Sequence, residues 1–175
     1  PLYMLKVVQM VWPGDAPQDL RVVGRATSAL ADVATVMLVY VLWSRMYGRR
    51  EGFLAALFLA LSVIHIQLSH FFAVDTILGL TTIASLYFLY RVSKKGNLQD
   101  SLLAGAMIGI GLATKVSQVP IYFAFAMAHI LYLLPAVGVT EGPSLASGER
   151  LARAIRGLLG GAGVSVLVFI IAQPY

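Results

Sequence analysis

Six apolar runs, separated by short polar breaks, occupy most of this chain: residues 26–43, 53–68, 71–90, 101–113, 119–137 and 158–171. A helix that spans a bilayer needs about 20 such residues, with a range of roughly 17–25. The first, third and fifth runs reach that length. The second reaches it if Glu51 and Gly52 join its first turn. The fourth and sixth are short. The fourth gains length from Asp100 at one end and Thr114 and Lys115 at the other, and the sixth from a start near Ala152. Non-helical backbone at membrane depth has to lie beside protein or water, so a short fourth helix belongs inside the bundle. Only 12% of the 175 residues are charged and 59% are hydrophobic. A soluble domain carries roughly 25% charged residues, so lipid must cover much of this surface. The expected fold class is all-α: a polytopic transmembrane helix bundle of about six membrane helices plus an N-terminal interfacial helix.

The basic residues set an orientation. If the chain enters its first span from outside, 9 of the 13 Lys and Arg fall in inner loops: Arg45, Arg49 and Arg50, then Arg91, Lys94 and Lys95, then Arg150, Arg153 and Arg156. Lys6, Arg21, Arg25 and Lys115 stay outside. All three inner loops agree with the positive-inside bias. The chain is therefore read as an integral protein of a prokaryotic cytoplasmic membrane, with cytoplasmic loops near 45–50, 91–99 and 138–156. The net charge of +5 follows from this topology, and no nucleic-acid partner is expected. Residues 1–25 read as an external juxtamembrane segment. Leu2, Leu5, Val8 and Trp12 form a broad apolar surface and Lys6 and Gln9 a narrow polar one, the pattern of a helix lying in the interface. Residues 26–175 read as one transmembrane bundle, part of a longer protein, since the chain starts at Pro1 without a signal-peptide layout.

Chemistry can reside in few places. Asp75 closes the break Ser69-His70-Phe71-Phe72-Ala73-Val74-Asp75 between two apolar runs. It reads either as a helix N-terminal acid, favoured by the local dipole, or as a carboxylate facing an external site. His70, five residues earlier, could move a proton or contact phosphate. His65 lies near the same boundary, and His129 reads as a buried helix-packing residue. Lys115 stands at the outer end of the fourth run, against the positive-inside trend. It either snorkels or supplies a cation to a phosphate. Arg25 and Arg21 are the other outer cations. Asp32, seven residues past Arg25 inside the first run, is expected to pair with a basic residue. There is no cysteine and no paired-His spacing, so no metal ligand set is expected. Gly105, Gly109 and Gly111, and Gly157, Gly160, Gly161 and Gly163, read as small-residue stripes for close helix packing, because no strand precedes either as a nucleotide loop would require.

In their order, these pieces resemble the polytopic GT-C class glycosyltransferases, in the branch of the protein O-mannosyltransferases and the lipid A aminoarabinose transferase. Pro1-Leu2-Tyr3 resembles the end of that family's Pro-Pro-Leu motif, and Arg25-Ala26-Thr27-Ser28-Ala29-Leu30 the start of its second membrane helix. The stretch from Tyr40 to Arg50 resembles the following helix end and inner turn. Ser69 to Asp75 resembles the external hairpin that ends in Asp, Gly105 to Lys115 the Gly-rich helix leading to Thr-Lys, and Gln173-Pro174-Tyr175 the start of a later external loop. The resemblance implies a bundle that takes a sugar from a polyprenyl-phosphate carrier and passes it to an acceptor on the outer side of the membrane. It implies a catalytic carboxylate before the Pro-Pro-Leu motif, hence no catalytic residue in this segment. It also implies cations, or a divalent metal in the full-length enzyme, that steady the lipid phosphate. Asp75, Lys115, His70 and Arg25 are then the substrate- or phosphate-binding candidates. The alternative is a non-catalytic integral membrane subunit, or a degenerate relative, within a larger membrane complex. A transporter is a weaker third reading, since no inverted repeat is visible.

Overall fold

The computed structural model describes residues 17–71, 73–134 and 147–173. Every regular element among them is helical. They are α1 (Pro17–Met46), α2 (Arg49–Ala60), α3 (Val63–His70), α4 (Val74–Lys95), α5 (Leu98–Thr114), a 3-10 turn (Val116–Gln118), α6 (Ile121–Leu133) and α7 (Ser147–Ala172). Four helical stretches are long and apolar enough to cross a membrane: Val22–Met46, Val74–Lys95, Val116–Leu133 and Ser147–Ala172. The protein is an all-α, polytopic integral membrane protein. Two compact units divide the chain, residues 1–80 and 81–175.

In the first unit, α1 is helical from Pro17, ahead of the expected start at Ala26. Proline suits a first helical position because no intrahelical acceptor awaits its missing N–H. The interfacial helix expected over the N-terminal segment lies, for residues 1–16, outside the described residues. The buried stripe of α1 is Gly24, Ser28, Ala31, Thr35, Val39 and Leu42. Most of these side chains are small, which lets a neighbouring backbone approach closely. Leu30, Val33 and Met37 lie on the exposed side, suited to lipid. The chain reverses at Gly48, whose φ of 126° strongly disfavours any residue with a side chain. It returns as α2, with Gly52 and Ala56 buried. A Cβ at Gly52 would collide with Ser44 and the Tyr40 carbonyl.

The run 53–68 is not one helix. It breaks after Ala60, where Ser62 adopts extended backbone (φ −67°, ψ 120°) and precedes α3. Serine favours the non-helical position before a helix. The break leaves few backbone groups unpaired: Ser62 N–H donates to the Leu59 carbonyl at 3.0 Å and Ile66 N–H to the Ser62 carbonyl at 3.1 Å. Helix α1 touches both α2 and α3, so protein lies beside the irregular backbone, as a broken span requires.

In the second unit, α5 and α7 form the tightest pair. A Cβ at Gly105 would overlap the Gly161 carbonyl, one at Gly109 would stand 2.5 Å from the Ser165 carbonyl, and one at Gly157 2.7 Å from the Ser101 hydroxyl. The matched positions 101/157, 105/161 and 109/165 advance in the same sense, so the two helices run parallel. Gly105, Gly109, Gly157, Gly160 and Gly161 thus pack helices, whereas Gly111 faces the Gln118 side chain and a Cβ at Gly163 would meet nothing within 4 Å. Helix α6 runs against them: Phe125 meets Gly161, His129 meets Gly157, and Tyr132 lies over Gly96. Leu89, Val92, Ala104, Ile108 and Phe125 form the apolar core. As expected, α5 recruits Asp100 and Thr114 and reaches 17 residues, and α7 begins before Ala152. The fifth run starts later as an α-helix than expected, because Val116–Gln118 is a 3-10 turn and Pro120 caps α6. This packing gathers Arg91, Lys94, Lys95, Arg150, Arg153 and Arg156 at one end of the unit and leaves Lys115 at the other.

Candidate functional site

A polar contact joins two helices of the first unit. His65, on α3, places Nδ1 2.6 Å from Asp32 Oδ1, on α1. A carboxylate oxygen accepts, so Nδ1 carries a proton and Nε2 is turned away from Asp32. Both side chains are mostly buried, 28% and 17% exposed. Asp32 does pair with a basic side chain, but the partner comes from another helix and not from Arg25 on its own. The break at Ser62 starts a new helix three residues before His65. An imidazole oriented by a carboxylate is suited to accepting a proton at its other nitrogen, and to contacting an anion there once that nitrogen carries it.

The other candidates are placed as follows. Asp75 lies in the first turn of α4, half-buried, where the dipole favours an acid. His70 is the last residue of α3, and its side chain lies outside the described residues. Arg25 is exposed on α1. Lys115 is exposed immediately past the C-terminus of α5. Its backbone is extended (φ −158°, ψ 123°) and its N–H donates to the Gly111 carbonyl at 2.8 Å. Asp75 and Arg25 belong to the first unit and Lys115 to the second.

The second unit carries polar contacts along its length. Arg91 Nε lies 3.0 Å from Asp100 Oδ1, whose side chain is 2% exposed. The Asn97 amide donates to the other carboxylate oxygen at 3.4 Å. One level on, His129 Nδ1 donates to the Phe125 carbonyl at 2.8 Å. That leaves Nε2 to accept from the Ser101 hydroxyl at 3.1 Å. Further along, the Tyr122 and Ser165 hydroxyls meet at 2.6 Å. Beyond Lys115, the Thr81 hydroxyl points to Gln118 Oε1 at 3.5 Å. These pairs satisfy buried polar atoms between helices and act as structural ties. His129 is thereby a packing residue, as expected. The Arg91–Asp100 pair was not anticipated. Asp100 was legible only as a helix-extending residue, although an acid nine residues after an arginine across a Gly-Asn turn is the available signal.

Residues 18–142 match the family described as dolichyl-phosphate-mannose-protein mannosyltransferase. The chain belongs to this family. Two Bacillus subtilis (strain 168) proteins are similar to it over 112 residues each, 64% of this chain. "Putative mannosyltransferase YkcB" is 28% identical and "Putative mannosyltransferase YycA" 32% identical. The matched stretch is 15% and 16% of those relatives' lengths, so the chain spans only a small part of them. No solved structure matches.

The mannosyltransferase match takes in Arg25, Asp32, His65, His70, Asp75 and Lys115, and it stops short of α7. The GT-C class resemblance of the motifs agrees with it. Among the described residues, no three His, Asp or Glu side chains come together as a metal site.

Proposed function

We propose that this chain is part of a membrane glycosyltransferase that moves a sugar from a polyprenyl-phosphate carrier to an acceptor on the outer side of the membrane. The family match over residues 18–142 carries this reading. The clustering of six basic residues at one end of the second unit supports the sidedness, with that end cytoplasmic and Lys115 outside. In such a transfer the acceptor hydroxyl attacks the anomeric carbon and the lipid phosphate leaves. Negative charge builds on the phosphate, and a pre-positioned cation stabilises it most in the transition state. Lys115 and Arg25 are each proposed as a candidate cation for a lipid phosphate. Asp75 and His70 are proposed to orient the substrate, and His65, held by Asp32, to present Nε2 to it. The general base lies elsewhere in the full-length enzyme.

The test is transfer of radiolabelled sugar from a polyprenyl-phosphate donor in membranes containing the full-length protein, with protein level measured in parallel. Charge-assisted hydrogen bonds are worth about 1.5–3 kcal/mol. Lys115→Ala and Asp75→Asn should therefore lower transfer on the order of tenfold to a hundredfold at about 1.4 kcal/mol per decade. Wild-type rates in both variants would remove these residues from the site. No transfer by the full-length wild type across a panel of donors and acceptors would favour the non-catalytic subunit.

A further inference from the structure

At the basic end of the second unit, the turn between α4 and α5 and the start of α7 enclose a cleft of about 220 Å³. It is lined by Gly96, Asn97, Leu98, Arg153 and Arg156. We infer that this cleft binds a phosphate-class anion, supplied by the headgroup of an anionic membrane lipid.

Four observations lead there. First, the lining holds two guanidinium groups and no carboxylate. The nearby acid, Asp100, is already held by Arg91 and Asn97. Second, the side chains of Arg153 and Arg156 have no hydrogen-bond or ion-pair partner among the described residues. Three apart on a helix, they share a face, and two planar forks side by side match the oxygens of one phosphate. Third, the cleft is smaller than the roughly 300–1,000 Å³ of sites that enclose drug-sized ligands. It suits a headgroup rather than a whole nucleotide or sugar conjugate. Fourth, it lies at the first turns of a helix long and apolar enough to cross a membrane. The arginines precede an unbroken apolar stretch of α7, and Leu98, Ile155 and Leu159 are exposed beside them, where acyl chains would lie. Basic pockets between helices at a membrane surface recognise anionic headgroups in this way. The inference needs only the membrane fold. It stands or falls apart from the sugar-transfer reading, and the cleft lies beyond the matched family region for both arginines.

The experiment uses the full-length protein in zwitterionic nanodiscs doped with phosphatidylglycerol, with bound phosphatidylglycerol counted by native mass spectrometry after release into detergent. Arg153→Gln/Arg156→Gln keeps the polar stems and removes both charges. Arg150→Gln removes one charge at the same end outside the cleft. Each basic residue near an anionic surface is worth about fivefold, so the double variant should retain phosphatidylglycerol on the order of thirtyfold less. Arg150→Gln, outside the cleft, should keep retention within about twofold of wild type, below the fivefold that each cleft charge is worth. Unchanged retention in the double variant overturns the site. A loss of about fivefold in Arg150→Gln, the same per charge as in the double variant, also overturns it, in favour of diffuse surface charge. Competition by inorganic phosphate at equal concentration would keep the phosphate site but reject the lipid as its source. Thermal midpoints of all variants are recorded, and a double variant that unfolds is replaced by Arg153→Lys/Arg156→Lys. That variant keeps charge but loses the forks, and should lie between wild type and the Gln pair; wild-type retention by it overturns the forked-phosphate site.

Discussion

Gly161 and Gly163 sit two residues apart on α7 and should respond in opposite ways to the same substitution. A Cβ at Gly161 would stand 2.6 Å from the Ser101 carbonyl and 2.7 Å from Phe125 Cζ. The first is backbone of the parallel helix and cannot rotate away. A Cβ at Gly163 would meet nothing within 4 Å. Alanine is favoured over glycine in a helix interior by about 1 kcal/mol, and both variants share that gain. Their difference therefore isolates the collision, and overpacking a close contact costs typically about 1–3 kcal/mol. Gly161→Ala should be less stable than Gly163→Ala by that amount, with Gly163→Ala at or above wild type. The assay is reversible unfolding of the full-length protein in mixed micelles, followed by intrinsic fluorescence. Equal stability of the two variants would refute the parallel α5–α7 packing on which the placement of Lys115 opposite the basic end depends.

Three further outcomes follow from the buried pairs. Arg91→Met leaves the Asp100 carboxylate buried without its cation and should cost about 1.5–3 kcal/mol in the same unfolding assay. Because Arg91 itself is 36% exposed, Asp100→Leu, which frees a solvated arginine instead, should cost less. Ser101→Ala strips Nε2 of His129 of its donor and should destabilise by about 1–3 kcal/mol, most of it recovered in Ser101→Ala/His129→Phe if the larger ring is accommodated beside Gly157. Removing either partner of the Asp32–His65 pair should cost transfer activity non-additively, since Asp32→Leu or His65→Leu alone already breaks the hydrogen bond; additive losses in Asp32→Leu/His65→Leu would separate the two residues.

Much of the architecture was legible because a bilayer imposes length. A run of about 20 apolar residues has few alternatives in lipid, so the helices at 71–90 and 119–137 appear close to where hydropathy places them. The small-residue stripes were also legible, since Gly105 and Gly109, and Gly157 and Gly161, recur at the four-residue spacing that lets helices touch. The break at Ser62 was not. One serine in an apolar run is common in continuous membrane helices, and what allows the chain to depart from helix there is α1 lying alongside, a tertiary fact. The start of α1 at Pro17 was hidden for a similar reason: Asp19, Arg21 and Arg25 dilute hydropathy without opposing helix formation.

The Asp32–His65 contact joins these two kinds of information. Sequence reasoning predicted that a charge inside the first run would need a partner, because the cost of an unpaired carboxylate at that depth is independent of the fold. It did not name that partner, because faces of a single helix, such as the one Asp32 roughly shares with Arg25, are all that spacing can resolve. The partner is 33 residues distant, on a helix whose existence depends on the break that hydropathy cannot detect. The need for a pair was therefore written in one residue, and the identity of the partner in the packing of three helices. The same division holds for Asp100: its burial follows from the parallel approach of α5 and α7, which the glycines permit, while its compensation by Arg91 follows from the tight turn at Gly96. In both units the small residues set how closely backbones approach, and that closeness decides which polar side chains must find partners across helices.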